Sequence, residues 1–345
     1  MKHTATPLYP LKFAPVYKEK VWGGRALETL GRDLPGDAET PIGESWELVD
    51  LATTSASGGG GGAEHSAVAN GPLAGQTLAQ LLDAYGPKLR GDLPLTGTGG
   101  FPILLKYLDA SASLSVQVHP SCAYAAAHPD AFLKSEAWYI VDCQPGAAIY
   151  KGIREGVTPD QLRAALDTHT DDAVVPLLIE VPVAPGDCHY LPSGTCHALG
   201  GGILVAEVQT PSDTTYRVYD WGRTERELHI EPALACIDFG PPNVSAFELN
   251  LRVNDHLTRL VSCEHFRLDR TTAEAGFSGA AGADQPTVWM VTAGSVAVCA
   301  GDEDVTCSAG DTVLLPPNLD ARFRVTENAE WIDVSFPAAE TERLA

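Results

Sequence analysis

The chain of 345 residues has no apolar run approaching the roughly 18 residues a membrane-crossing helix needs. Its opening, MKHTATPLYPLKFAP, lacks the apolar core of a signal peptide. The expectation is a soluble cytoplasmic protein. Positive charge is scarce: 23 Lys+Arg stand against 45 Asp+Glu, a net charge of −22, which argues against nucleic acid or an anionic membrane as a partner. There are only eight lysines, so Lys106 and Lys134 stand out. The eight cysteines, at 122, 143, 188, 196, 236, 263, 299 and 307, form no CxxC pair and read as buried free thiols. With 44% hydrophobic and 20% charged residues, the chain has material for a sizeable core and two domains.

What is present is a dispersed set of metal-ligand side chains. SVQVH alternates residue by residue, so Gln117 and His119 leave one strand face while Val116 and Val118 leave the other. Glu136 opens the strand-like EAWYIVDC, and His197 closes GDCHYLPSGTCH. Imidazole nitrogens with a carboxylate or amide oxygen suit zinc or a similar divalent ion, and so small a ligand set leaves a position open for substrate. Cys196 adjoins His197 and so faces the opposite side of the strand.

Along the chain, KVWGGRALETLG and GESWELVDL precede a small, polar, glycine-rich stretch, residues 53–71, that reads as a surface loop. A short helix follows in LAQLLDAYG. From Phe101 the pattern is strand-like through FPILLKYLDA, SLSVQVHP, EAWYIVDC and GAAIYKGI, interrupted by the helix-prone AYAAAHPDAFLK. TPDQLRAALDT reads as a helix with Thr158 as N-cap and Pro159 at its first position. After Pro242 come short alternating strands spaced as an all-β barrel requires.

From Gly186 the chain reads G-x5-P-x-G-x2-H, which resembles the second motif of the cupin barrel; its turn at Pro192-Ser193-Gly194 aims His197 inward. GDTVLLPPNLDA, from Gly310, aligns with it: Pro316 matches Pro192, Asn318 replaces Gly194 and Ala321 stands where His197 stands. The expected fold is therefore mainly β: two cupin (jelly-roll) barrels, the first (1–240) metal-binding with helical insertions, the second (241–345) degenerate.

FPILLKYLDASASLSVQVHP, KSEAWYIV, LPSGTCHALGGGILVAEVQTPSDTTYRVYDWGR, WGGRAL and GESWE together resemble the type I mannose-6-phosphate isomerases in their short bacterial form. The resemblance covers nearly the whole chain and implies a zinc-dependent interconversion of mannose 6-phosphate and fructose 6-phosphate. It implies one zinc held by Gln117, His119, Glu136 and His197, although some short members use His-Glu-His alone. The chain departs from the family pattern in the glycine-rich insertion, at Ser121-Cys122, and at His189, where an aromatic is usual; no ligand is lost.

Such a reaction moves a proton between C1 and C2 of the open-chain sugar phosphate through an enediol. It needs a Lewis acid, a base and a cation. Arg217 is the leading cation; a salt bridge on a strand is its other reading. Lys134, Lys106 and Glu207 complete a polar ring in which the base is unassigned. Trp22, next to Gly23-Gly24, and the turn residues Ser212 and Asp213 are candidates for touching substrate. Two other readings fit the residues: a sugar-phosphate-binding cupin that keeps its metal without turnover, and a metal-dependent cupin oxygenase. Monomer and homodimer are both compatible with the sequence.

Overall fold

The computed structural model of the protein describes residues 6–55, 62–301 and 303–337. Antiparallel strands dominate, in three principal sheets. A six-stranded sheet runs Cys188–Leu191, Glu136–Cys143, Ile203–Gln209, Leu104–Ala110, Ile42–Leu48, Val16–Gly24. A five-stranded sheet runs Leu178–Pro182, Ala148–Ile153, His197–Leu199, Val116–Val118, Tyr216–Tyr219. Inward residues of the two, among them Trp22, Leu108, Leu114, Trp138, Ile149, Leu199 and Val205, form one apolar cluster. That cluster is the floor on which the polar ring stands. Among the described residues no helix is long and apolar enough to cross a membrane.

The third sheet has nine strands and takes in the C-terminal region. Its long strands Thr287–Ala300 and Ala321–Ser335 pair with each other at its centre, and Leu11–Lys12 from the chain's start joins its edge beside Thr312–Leu315. Strand alternation gives the six-stranded sheet a second apolar face. Leu105, Tyr107, Ala137, Tyr139, Ala206 and Val208 pack there against Leu268, Val288, Met290, Leu314, Ile332 and Val334. Tyr107 donates its hydroxyl to the Val291 carbonyl at 3.0 Å and Tyr139 donates to Glu330 at 2.7 Å, so the polar tips of this buried layer are satisfied.

The turn chemistry forms as the sequence suggests. The helix Pro159–Leu166 starts in a capping box, Thr158 with Gln161, and Leu78–Tyr85 starts in another, Thr77 with Gln80. Asn318 adopts φ 56° and Gly194 φ 86°, the same left-handed corner at the two aligned positions. The position aligned with His197 is taken by the buried Ala321. Trp289, Phe323 and Trp331 fill the second interior, with Trp289 and Trp331 ring centroids 5.2 Å apart. The glycine-rich stretch differs from the expected loop. Residues 56–61 lie outside the described residues, but Glu64–His65 pairs with Asp50–Leu51, Val68 bridges Phe13, and Ser66 and Val68 are buried. Backbone hydrogen bonds to Val49 and Lys12 hold this segment to the sheet edge, which its small-residue composition concealed. Helical turns over Asp171–Val174 and Val175–Leu177 lead into the strand Leu178–Pro182.

Candidate active site

Strand register sets the site in two rows. Across the six-stranded sheet Trp138 pairs with Glu207, Glu207 with Lys106, and Lys106 with Trp46. Across the five-stranded sheet Arg217 pairs with Gln117, Gln117 with His197, and His197 with Lys151. Residues directly opposite in an antiparallel ladder share a face, so each row presents its side chains together. Cys196, one residue out of phase, is fully buried in the apolar cluster behind the five-stranded sheet, where burial pushes its thiol up to about 12. All eight cysteines are free thiols.

His119, Glu136 and His197 converge, with one ligand atom from each lying within 4.8 Å of the others. His119 Nε2 is 3.5 Å from Glu136 Oε2, and His197 Nε2 is 3.3 Å from Glu136 Oε1. These separations match the edges of a tetrahedron with metal bonds of about 2.0–2.2 Å. The imidazoles are already in the right tautomer: His119 Nδ1 donates to the Thr214 carbonyl at 2.9 Å and His197 Nδ1 to the Thr195 carbonyl at 2.8 Å. A carbonyl can only accept, so both Nε2 atoms turn lone pairs inward. Burial, reinforced by the neighbouring Lys134 cation, pushes His119 down to about 3, which keeps it neutral. Burial alone would raise Glu136, but Lys134 at 2.6 Å and the two imidazoles outweigh it and hold the carboxyl well below its ordinary range. Both Glu136 oxygens are fully buried without a hydrogen-bond donor in good geometry. A buried, ionised carboxylate with open lone pairs beside two imidazoles is a donor set that fits a divalent metal.

A cavity of about 320 Å³ opens beside this cluster, joined to it by Gln117 and Lys134 and lined also by Trp22, Glu44, Lys106, Glu207, Asp213 and Arg217. Glu207 Oε2 accepts from the Trp138 indole at 2.9 Å, while its Oε1 lies 3.4 Å from Lys106 and 4.0 Å from Lys134. Lys106 also lies 3.7 Å from Glu44 and over the Trp46 ring. Burial favours its neutral form, but Glu44 and Glu207 outweigh that and raise it, so Lys106 stays an ammonium. Burial would also raise Glu44; Lys20 at 3.1 Å together with Lys106 overcomes this and brings it to about 2. Of the expected residues, Trp22, Lys106, Gln117, Lys134, Glu207, Asp213 and Arg217 line the cavity, while His119, Glu136, His197 and Ser212 do not; the Ser212 hydroxyl donates to the Phe132 carbonyl and accepts from Thr214 N, which fixes the turn. Asp213 lines the cavity and also accepts from Ser55 N at 2.8 Å. Gln117 stands next to the cluster with its amide nitrogen 3.3 Å from His197 Nε2 and its oxygen toward Ser115. Four charged lining residues escaped the sequence reading: Glu19, Lys20, Glu44 and Arg226. Glu44 was within reach, since it alternates with Trp46 in GESWE.

Fold and site together define a class: a mainly β protein with a buried two-histidine, one-carboxylate centre beside an ionised cavity. The family model for phosphomannose isomerase type I, catalytic domain, matches residues 10–139. Mannose-6-phosphate isomerase ManA of Bacillus subtilis (strain 168) is 35% identical over 336 residues, covering 94% of this chain and 98% of its own. A mannose-6-phosphate isomerase of Streptococcus mutans is 35% identical over 320 residues, covering 90% and 93%. The crystal structure of the mannose 6-phosphate isomerase from Bacillus subtilis superposes with a TM-score of 0.80 at 30% identity, covering 95% of this chain and 99% of that one. The chain belongs to the type I phosphomannose isomerase family, and its fold is the cupin fold of that family.

Proposed function

We propose that the protein is a zinc-dependent isomerase interconverting mannose 6-phosphate and fructose 6-phosphate through an enediol. The observation that carries this is the buried His119–Glu136–His197 cluster beside a cavity lined by ion-paired lysines and glutamates. Family membership supports the substrate pair, and the nitrogen and oxygen donors support zinc. His119, Glu136 and His197 would hold the ion. Gln117 would complete the set after its amide turns its oxygen inward, a rotation that exchanges two nearly isosteric atoms.

Bound zinc would supply Lewis acidity toward the sugar oxygens, worth several kcal/mol. Glu207 Oε1, buried with no donor in good geometry, would take the C1 or C2 proton and return it at the neighbouring carbon. Trp138 holds the other Glu207 oxygen and so fixes the direction of the acceptor. Lys106, kept cationic by Glu44 and Glu207, and Lys134, paired with Glu136, would balance charge on the enediolate oxygens. Trp22 and Leu114 wall the cavity and exclude water from the intermediate.

The test is conversion of mannose 6-phosphate to fructose 6-phosphate by purified protein, before chelation, after chelation and after zinc is restored. Turnover is expected to disappear and return. A metal-loaded protein without turnover would overturn the isomerase reading in favour of a silent binding protein.

A further inference from the structure

Gln209 is fully buried and does not line the cavity, yet it lies between two of the three metal-type side chains. It ends the strand Ile203–Gln209, two residues after Glu207 and on the same face, and stands directly opposite Glu136 in the ladder. Beyond it the chain turns through residues 210–214. The last carbonyl of that turn, Thr214 O, is the acceptor of His119 Nδ1 at 2.9 Å. Gln209 thus has Glu136 as its neighbour across the sheet and His119 bonded to the far end of its own turn.

The amide of Gln209 holds this turn from the inside. Its Nε2 donates to the Thr210 carbonyl at 3.0 Å and to the Ser212 carbonyl. Two carbonyls fix the orientation, because a reversed amide would set its oxygen against both. The cost falls on the other atom: Gln209 Oε1 is buried and finds no donor among the described residues. A methionine would fill the same space with no orphaned oxygen, so packing does not account for the residue, whereas its two donors do. Other bonds fix the ends of the turn. Thr210 N donates to the Ser135 carbonyl at 3.0 Å and Ser135 N to Thr210 Oγ1 at 3.2 Å, next to Glu136, while Thr214 N donates to Ser212 Oγ at 3.2 Å. The Ser212 carbonyl, in the middle, is where the glutamine pulls.

His119 keeps its Nε2 lone pair toward Glu136, 3.5 Å away, only while a carbonyl faces Nδ1. We propose that Gln209 is a positioning residue of the metal centre: its amide clamps the 210–214 turn in the shape in which the Thr214 carbonyl receives His119 Nδ1, and so sets metal affinity without being a ligand. This rests on the metal reading of His119, Glu136 and His197, and not on the identity of the sugar.

The experiment compares wild type with Gln209→Met, which keeps the length and loses both donors, with Gln209→Glu, which aims a carboxylate at the two carbonyls, and with Val298→Ala, a truncation in the interior around Trp289. Zinc affinity is read by competition with a chromogenic chelator, the His119 ring N–H by NMR of the zinc-loaded, 15N-histidine-labelled protein, and folding by thermal unfolding. Gln209→Met is expected to bind zinc about 10- to 100-fold more weakly, and its His119 N–H signal to move upfield and exchange faster with water. Gln209→Glu loses at least as much. Val298→Ala melts earlier but keeps the zinc affinity and the signal of wild type. Wild-type affinity and an unmoved signal in Gln209→Met would overturn the proposal, as would an equal loss of zinc by Val298→Ala. So would a wild-type His119 N–H that exchanges as fast as an exposed imidazole, a result that needs no variant. A wild type that binds no zinc sinks the metal reading and this proposal with it; one that binds zinc through this clamp without isomerising mannose 6-phosphate sinks the isomerase reading alone.

Discussion

At the scale of single residues, Glu136 is the group whose environment is most particular. It is the carboxylate between two imidazoles, and it also anchors Lys134. Glu136→Gln keeps the shape and removes the charge. It is expected to lose bound zinc after dialysis, measured by elemental analysis, and to lower turnover on the order of a thousandfold. Zinc retained at one per chain with turnover intact would show that the site does not depend on this carboxylate. The metal-type residues were legible in the sequence because strand alternation and the turn before His197 place them without tertiary knowledge. Arg226 was not, since its place in the cavity wall depends on Asp220 folding back to seat it. Ser212 marks the opposite limit: a polar residue in a functional-looking turn whose hydroxyl is consumed by Phe132 and Thr214.

At the scale of elements, the turn over Pro192–Thr195 matters most, because its last carbonyl fixes the His197 tautomer. Gly194 has φ 86° there, and a Cβ would stand 2.4 Å from Asp238 Oδ2. Its amide also donates to the His119 carbonyl at 3.2 Å, so the turn touches both histidine segments. Gly194→Ala should cost about 1–3 kcal/mol in chemical denaturation and weaken zinc affinity as well. Unchanged values for both would show that the corner relaxes freely. Helices announced themselves by their caps and strands by alternation, so these were readable. The pairing of residues 64–68 was not, because a sheet edge can be built from backbone groups alone and leaves little trace in small, polar side chains.

At the scale of the whole molecule, stability depends on charges far from the site. Asp333, in the C-terminal sheet, is pushed up to about 7 by burial and by its neighbour Asp269, against the hydrogen bond from Trp289 and the Arg267 charge. Its ordinary value is 3.8, so the folded chain holds this proton more tightly than the unfolded one. The stabilising contribution is complete below about pH 4 and is lost as pH rises through about 7. Asp333→Asn keeps an acceptor for Trp289 and cannot ionise. Melting temperatures at about pH 5 and about pH 8 should therefore fall further for wild type than for the variant; parallel changes would remove Asp333 as the cause.

The shared layer between the six-stranded and nine-stranded sheets carries a consequence for which parts of the chain can be removed. Leu105, Tyr107 and Ala206 share one buried cluster with Leu268, Met290 and Ile332, and the first strand of the chain joins the edge of the last sheet. The C-terminal strands are therefore a wall of the sheet that carries Glu136, Lys106 and Glu207 on its other side. A truncation that removed them would uncover the back of the active site as well as the interior around Trp289 and Trp331.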